Sequence, residues 1–146
     1  MHIDHGWWRV ALRDEQDRLL RLTRTQRELA RLLEAKLISG THRLSQLEHT
    51  RAGILSSLDR VGGAGLVLYA ATMRRLMDIG VAVKRVEVEI AEHNRALLKV
   101  RLRQEVLTRR AKQLKATDDR KAMEVEALEV SIGMHRKATG KHGVLE

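Results

Sequence analysis

The side chains best suited to chemistry in this sequence are histidines near carboxylates. Glu89 and His93 lie four residues apart, so on a helix they share one face and could ligate a metal ion. A di-iron helical bundle also needs matching carboxylates and a second histidine from other helices, and none is visible. His42 and His49 are seven residues apart, about 10 Å along a helix, which is too far to share one ion. The pattern favours a structural role for His93.

Catalytic motifs are missing from the rest of the chain. The glycines at 62–65 lack the Gly-Lys-Ser/Thr that completes a phosphate-binding Walker loop, and there is no H-E-x-x-H. The absence of cysteine rules out disulfides and thiolate chemistry and fits a reducing compartment. We therefore expect a protein that is not an enzyme, with no cofactor, no metal and no small-molecule substrate.

The elements that position these residues are predicted by a long hydrophobic repeat. Apolar residues recur at alternating steps of three and four from Leu76 to Ile132, interrupted only by His93, Gln104, Asp118 and Lys121. A 3.5-residue period held this long predicts a coiled-coil helix, and the absence of proline permits an unbroken one. The first half has a matching seam: Leu12, Glu15, Leu19, Leu22, Gln26, Leu29, Leu33, Leu37, Gly40, Leu44, Leu47, Arg51, Ile54 and Leu58. In that half, two successive steps of four at Leu29, Leu33 and Leu37 form a stutter.

These two seams predict an all-α fold, a long antiparallel two-helix coiled-coil hairpin. The glycines at 62, 63 and 65 mark the turn. We expect residues 1–146 to form a single coiled-coil domain, with helix 1 about 7–60, a turn at 61–66, helix 2 about 67–134 and a flexible tail at 135–146. Whether residues 39–41, which include Gly40, interrupt helix 1 is open.

A short turn also predicts which positions meet across the hairpin. Centring it near residue 65 pairs positions whose numbers add to about 130. This register pairs Leu33 with Leu97, Leu22 with Leu107, Leu44 with Val86 and Gln26 with Gln104. The two glutamines would form a register-fixing polar layer in the apolar seam.

Helix 2 carries a further apolar pattern on the side away from its seam, which we name the outer stripe. Its members are Met77, Val81, Lys84, Val88, Ala91, Arg95, Leu98 and Leu102. A two-stranded hairpin cannot bury both patterns. The outer stripe is either a scatter of surface residues or a docking face for another helix or a partner.

The net charge of +9 is concentrated in helix 2. Between residues 95 and 115 there are many lysines and arginines but only one acidic residue, Glu105. The basic surface comprises Arg101, Arg103, Arg109, Arg110, Lys112 and Lys115. This charge is compatible with a solvated face, an acidic protein partner or nucleic acid, although no aromatic residue lies in helix 2 beyond residue 70 to stack on bases.

Two tryptophans, Trp7 and Trp8, stand at the start of helix 1. They either cap the coiled coil by packing on Met123 and Val125 or act as an exposed binding anchor. Residues 1–9 lack the pattern of a secretory signal, and no apolar run is long enough to span a bilayer. We expect a cytoplasmic protein.

The chain resembles the flagellar type III export stalk proteins of the FliJ family and their injectisome counterparts of the YscO type. The resemblance covers most of the chain: two helices of unequal length, a glycine-marked turn near residue 60 and a basic second helix. Its local part is the stretch from Arg109 to Arg120, R-R-A-K-Q-L-K-A-T-D-D-R. The chain departs from the pattern at 64–71, which is unusually aliphatic.

This resemblance implies partners. Family members bind at the centre of the hexameric export ATPase, contact the membrane-embedded export gate protein and handle substrate chaperones, at the cytoplasmic side of the inner membrane. For the gate contact it implies Met73, Met77, Ile79, Val81 and Val88. For the ATPase contact it implies Trp7, Trp8, Arg9, Arg13 and Arg120.

We therefore expect a non-enzymatic coupling protein of type III export, in a flagellar or an injectisome system. Two alternatives remain: a basic coiled-coil arm that binds nucleic acid, and a structural coiled coil that oligomerises through the outer stripe. Nucleic acid is the less favoured partner because the basic stretch lacks aromatic residues.

Overall fold

The fold is an all-α hairpin of two long helices packed against each other. The computed structural model describes residues 6–60 and 65–142. Helix α1 spans Gly6–Arg60 and helix α2 spans Leu66–His142. The carbonyl oxygen of Gly65 accepts hydrogen bonds from the backbone N–H groups of Leu68 and Tyr69, at 3.0 and 3.2 Å, and so closes the first turn of α2.

The helix bounds agree with those predicted, except at the end of α2. The predicted turn at 61–66 falls mostly on residues 61–64, which lie outside the described residues. The sequence predicts a flexible tail from residue 135, but α2 continues to His142. Nothing at 135–142 stops a helix before Gly140, since Arg136, Lys137 and Ala138 are good helix formers. Residues 143–146 are not described.

The predicted seam of α2 is the buried face of that helix. Of its positions from Leu76 to Val125, every one except Ala111 is buried or half-buried, and Val86 is only 1% exposed. The last two predicted members, Leu128 and Ile132, are 51% and 53% exposed. The prediction was wrong for these two, because no residue from Gly6 onward in α1 reaches as far as their turns of α2.

Contacts divide the chain into two compact units, each containing a piece of both helices. One comprises Thr25–Gln104 and the other comprises Met1–Arg24 with Glu105–Glu146. We call them the central unit and the terminal unit and describe each by itself.

The core of the central unit is a cluster of small apolar side chains from both helices. Ala30, Leu33, Leu97 and Val100 are buried together, with Leu29, Leu37 and Ala96 packed against them. The predicted pairing of Leu33 with Leu97 is thus confirmed. Ala30 is buried and its neighbour Leu29 is half-buried, so α1 presents two adjacent residues to α2 at the predicted stutter.

Two ion pairs show that the helices of the central unit run antiparallel. Arg43 lies 3.6 Å from Glu89, and Arg101 lies 3.7 Å from Glu34. As the residue number falls along α1 it rises along α2. All four side chains are more than half exposed, so each pair contributes at most about 1 kcal/mol and reports register more than stability.

The predicted layer of Gln26 and Gln104 leaves one side-chain oxygen without a hydrogen bond. Gln26 and Gln104 are both half-buried. Within the described part of the chain, the Oε1 atom of Gln26 is buried without a hydrogen-bond partner. A buried, unpaired carbonyl oxygen costs about 1–3 kcal/mol, so this position weakens the seam.

Gly40 does not interrupt α1, which settles the question left open by the sequence. The residue is buried, and a Cβ atom added to it would stand 3.0 Å from Cγ1 of Ile90. The next residue, Thr41, turns its hydroxyl back to donate to the carbonyl oxygens of Leu37 and Ile38. Glycine at 40 therefore lets the α1 backbone lie close to Ile90.

The terminal unit is held by fewer buried side chains. Trp8 and Leu114 are 6% and 5% exposed. Glu15, a polar member of the predicted α1 seam, accepts hydrogen bonds from Nε and Nη2 of Arg110, the first at 3.2 Å. Leu22, predicted to face Leu107, is 40% exposed, whereas its neighbour Thr23 is half-buried and donates to the carbonyl oxygen of Leu19 at 2.8 Å.

Substitutions at Gly40 and Gly53 test the close approach of the α1 backbone to Ile90. A Cβ at Gly53 meets nothing within 4 Å, so Gly53→Ala should raise the free energy of unfolding by up to about 1 kcal/mol through helix propensity. Gly40→Ala should gain less, and Gly40→Leu should lose about 1–3 kcal/mol by overpacking against Ile90. Thermal and urea unfolding followed by circular dichroism measure the difference. Gly53→Leu is the matched control; equal stabilities of G40L and G53L would contradict the close approach.

Candidate protein interfaces

The outer stripe lies on the face of α2 turned away from α1. Successive members are separated by four and three residues, as in the seam, but sit about half a turn around the helix from it. Its large apolar members are 53–71% exposed: Met77, Val81, Val88, Leu98 and Leu102. The seam residues between them are buried or half-buried, so the hairpin leaves this second apolar face uncovered within the central unit.

Charged side chains border the outer stripe near its middle. A shallow groove there is lined by Val81, Lys84, Arg85, Val88, Glu89 and Glu92. Lys84 and Arg95 belong to the stripe itself and are exposed. Such a mixed face suits a partner that offers apolar side chains together with carboxylates.

Of the residues expected to contact the gate, four are accessible and one is not. Met73 is 39% exposed, and Met77, Val81 and Val88 are 71%, 54% and 57% exposed. Ile79 is only 8% exposed, because it is also a member of the seam and packs towards α1. Its expected role as a surface contact is therefore wrong.

Three of the residues expected to contact the ATPase, namely Trp7, Trp8 and Arg9, take part in a cluster with Lys121 in the terminal unit. Trp8 is 6% exposed, so packing accounts for this tryptophan, whereas Trp7 is 71% exposed. The Lys121 ammonium lies 5.9 Å from the ring centroid of Trp7 and 5.5 Å from that of Trp8. The Arg9 guanidinium lies 5.4 Å from the Trp8 ring centroid. These distances fit cation–π attraction.

The tryptophans contact a residue that was not among their predicted partners. Met123, one of the two expected packing partners, is 69% exposed, and Val125 is half-buried. Lys121 is the residue that sequence reasoning missed. Its place in the seam could have indicated this contact, because a lysine in an apolar seam extends its ammonium beyond it, here towards the tryptophan rings. Arg13 and Arg120 are exposed near this cluster along their helices.

Two of the six cations of the basic surface form ion pairs with α1. Arg101 pairs with Glu34 in the central unit and Arg110 pairs with Glu15 in the terminal unit. Both arginines flank the seam, where coiled-coil charges bridge to the opposite helix. The other four members, Arg103, Arg109, Lys112 and Lys115, are exposed. Two of the six cations thus serve the pairing of the helices.

The histidine positions take no part in a metal centre among the residues described here. No group of three or more His, Cys, Asp or Glu residues in the described ranges is placed to hold an ion. Glu89 is engaged by Arg43, and His93 is half-buried in the seam. Neither described helix has a segment long and apolar enough to cross a membrane.

Comparison with known proteins adds no relative to this picture. No family model, curated protein or solved structure matches the chain.

The seam and the outer stripe should respond differently to truncation. Val86→Ala removes two buried methyl groups and should lower the free energy of unfolding by about 2 kcal/mol. Val81→Ala makes the same change on the exposed face and should shift stability by less than about 0.5 kcal/mol. Urea unfolding measures both. A comparable loss in V81A would mean that the outer stripe is buried in the free protein.

The two tryptophans should differ in their fluorescence. In a Trp7→Phe variant the remaining Trp8 should emit at shorter wavelength and resist quenching by acrylamide, because its ring is covered. In a Trp8→Phe variant the remaining Trp7 should emit at longer wavelength and be quenched readily. Identical spectra for the two variants would contradict the burial of Trp8 alone.

Proposed function

We propose that this chain is a non-enzymatic coupling protein of a type III protein export apparatus. It acts through the surfaces of its paired helices, with the hexameric export ATPase and the membrane-embedded export gate protein as partners and substrate chaperones as a further class. Its site of action is the cytoplasmic side of the inner membrane. The named system rests on the resemblance to the FliJ and YscO families described above.

The observation that carries the proposal is the uncovered outer stripe. A hairpin that served only to hold two helices together needs one apolar face on α2, and the seam already supplies it. A second apolar face, with 53–71% exposure of its large side chains, supports a function exerted by contact with another protein.

The tryptophan cluster supports a second contact in the terminal unit. Trp7 is a large aromatic side chain left 71% exposed beside the exposed arginines at positions 9 and 13. Tryptophan and arginine are the residues most enriched among the energetic centres of protein interfaces. This combination favours an acidic, partly apolar partner surface.

The nucleic-acid alternative receives less support. Arg101 and Arg110 are engaged by carboxylates, which lowers the positive charge left to meet phosphates. No aromatic side chain accompanies the remaining cations. The other alternative, a structural coiled coil that oligomerises, uses the same outer stripe as the proposed function. A measurement of self-association distinguishes the two.

Stimulation of the cognate export ATPase tests the proposal. The wild-type chain should raise the hydrolysis rate and co-purify with the hexamer. Trp7→Ala with Arg13→Glu should weaken the complex by about 2 kcal/mol or more, roughly thirtyfold, because both side chains are exposed anchors. The same double variant should lower the unfolding temperature only slightly, because Trp7 is 71% exposed and loses only an exposed cation–π contact with Lys121.

Ile38→Ala is the matched control, since Ile38 is also 71% exposed and lies outside both expected contacts. Met77→Ala with Val88→Ala should reduce binding to the gate protein while leaving ATPase stimulation intact. The proposal fails if the wild-type chain neither stimulates nor binds the ATPase. Salt-dependent nucleic-acid binding lost on neutralising Arg109 and Lys112, or self-association lost in M77A/V88A, would favour the respective alternative.

A further inference from the structure

The first turns of α2 expose an apolar surface that neither the seam nor the outer stripe explains. Leu66 and Val67 are 86% and 85% exposed, and Leu68 and Tyr69 are 55% and 54% exposed. Successive residues of a helix point about 100° apart, so these four cover all sides of the helix. We name them the apolar tip.

The register of the central unit explains why the apolar tip is uncovered. The ion pair between Arg43 and Glu89 places residue 60, where α1 ends, opposite residue 72 of α2. Residues 66–71 therefore lie past the end of α1 and are all exposed, whereas Thr72 is the first half-buried residue of α2. Within the described residues, packing of α1 against α2 does not cover them.

The distribution of the exposed apolar side chains around the helix axis indicates which kind of partner can cover them. A partner helix covers a stripe about 100° wide, as on an amphipathic helix, and would leave the other sides of the tip in water. A helix end that is apolar on every side is instead suited to entering an apolar medium end-on. The boundary between the headgroups and acyl chains of a bilayer is such a medium.

The charges around the apolar tip indicate an anionic bilayer. From Gly65 to Met73 no residue is charged, and the next residues, Arg74 and Arg75, are exposed cations. The other charged residues nearest to this region are Asp59 and Arg60, in the last turn of α1, and Asp78, one turn beyond the arginines.

We propose that the apolar tip inserts into the surface of an anionic lipid bilayer, with Arg74 and Arg75 on the lipid phosphates. Arg74 lies eight residues from Leu66, roughly 12 Å along the helix at 1.5 Å per residue. That spacing matches an apolar end buried about 5–10 Å and a cation at headgroup level. Tyr69 has the amphipathic ring that is enriched at such interfaces. The contact is independent of the proposed export role and uses none of its expected gate residues.

A site-specific probe tests the insertion in the full-length chain. The sequence has no cysteine, so Leu68→Cys allows one environment-sensitive nitrobenzoxadiazole label at the apolar tip. Its emission should brighten and shift to shorter wavelength with vesicles of phosphatidylcholine and phosphatidylglycerol, and much less with phosphatidylcholine alone. The same label at Ile38→Cys, also on an exposed apolar position, should not shift.

Substitutions separate insertion from charge attraction. In flotation assays Leu66→Gln with Val67→Asn should weaken vesicle binding at least about tenfold, because two buried aliphatic side chains are lost. Arg74→Gln with Arg75→Gln should weaken it on anionic vesicles only. Arg109→Gln with Lys112→Gln removes part of the basic surface and should leave the shift at residue 68 intact.

Three results would overturn the proposal. The first is that the emission of the label at residue 68 is the same with anionic vesicles as in buffer. The second is vesicle binding that depends on Arg109 and Lys112 but not on Leu66 and Val67, which is adsorption by the basic surface. The third is self-association in analytical ultracentrifugation that L66Q/V67N abolishes, since a second copy would then occupy the apolar tip. Circular dichroism of each variant confirms that the helices are retained.

Discussion

The structure depends on the pairing of two long helices along one narrow apolar seam. Helices of this length are not stabilised by intrinsic propensity alone, and tertiary packing supplies most of what keeps them ordered. Here that packing comes from small aliphatic side chains, with Val86 the only fully buried side chain among the described residues. The seam covers few positions of each helix, and the exposed faces of the molecule are a consequence of this.

A narrow seam leaves most of each helix in contact with water. In a two-layer hairpin only the residues at steps of three and four face the partner helix, so polar and apolar residues elsewhere are free to serve other contacts. The outer stripe, the tryptophan cluster and the apolar tip are three such places, each made of large apolar side chains beside cations. These exposed faces all come from the same geometry.

The seam itself is uneven. At Gly40 the missing side chain lets the α1 backbone approach Ile90, whereas at Gln26 a buried carbonyl oxygen is left without a partner. Charges beside the seam compensate in part: Glu34 with Arg101 and Arg43 with Glu89 bridge the helices where they are half in water. Such pairs contribute little energy individually, but opposite charges on facing positions disfavour other registers.

The repeat written along the sequence was sufficient to determine the fold class, the buried face of α2 from Leu76 to Val125, the end of α1 near residue 60 and the pairing of Leu33 with Leu97. Hydrophobic period and glycine placement are local properties, so they can be read without coordinates. Neighbouring residues on a helix point about 100° apart, and the sequence cannot set the rotation of each helix that finely. Only the tertiary structure decided that Trp8 is covered and Trp7 is not, and that Thr23 turns inward in place of Leu22. It also decided which cations of the basic surface are engaged, because Glu15 and Glu34 lie on the opposite helix, far from Arg110 and Arg101 in sequence.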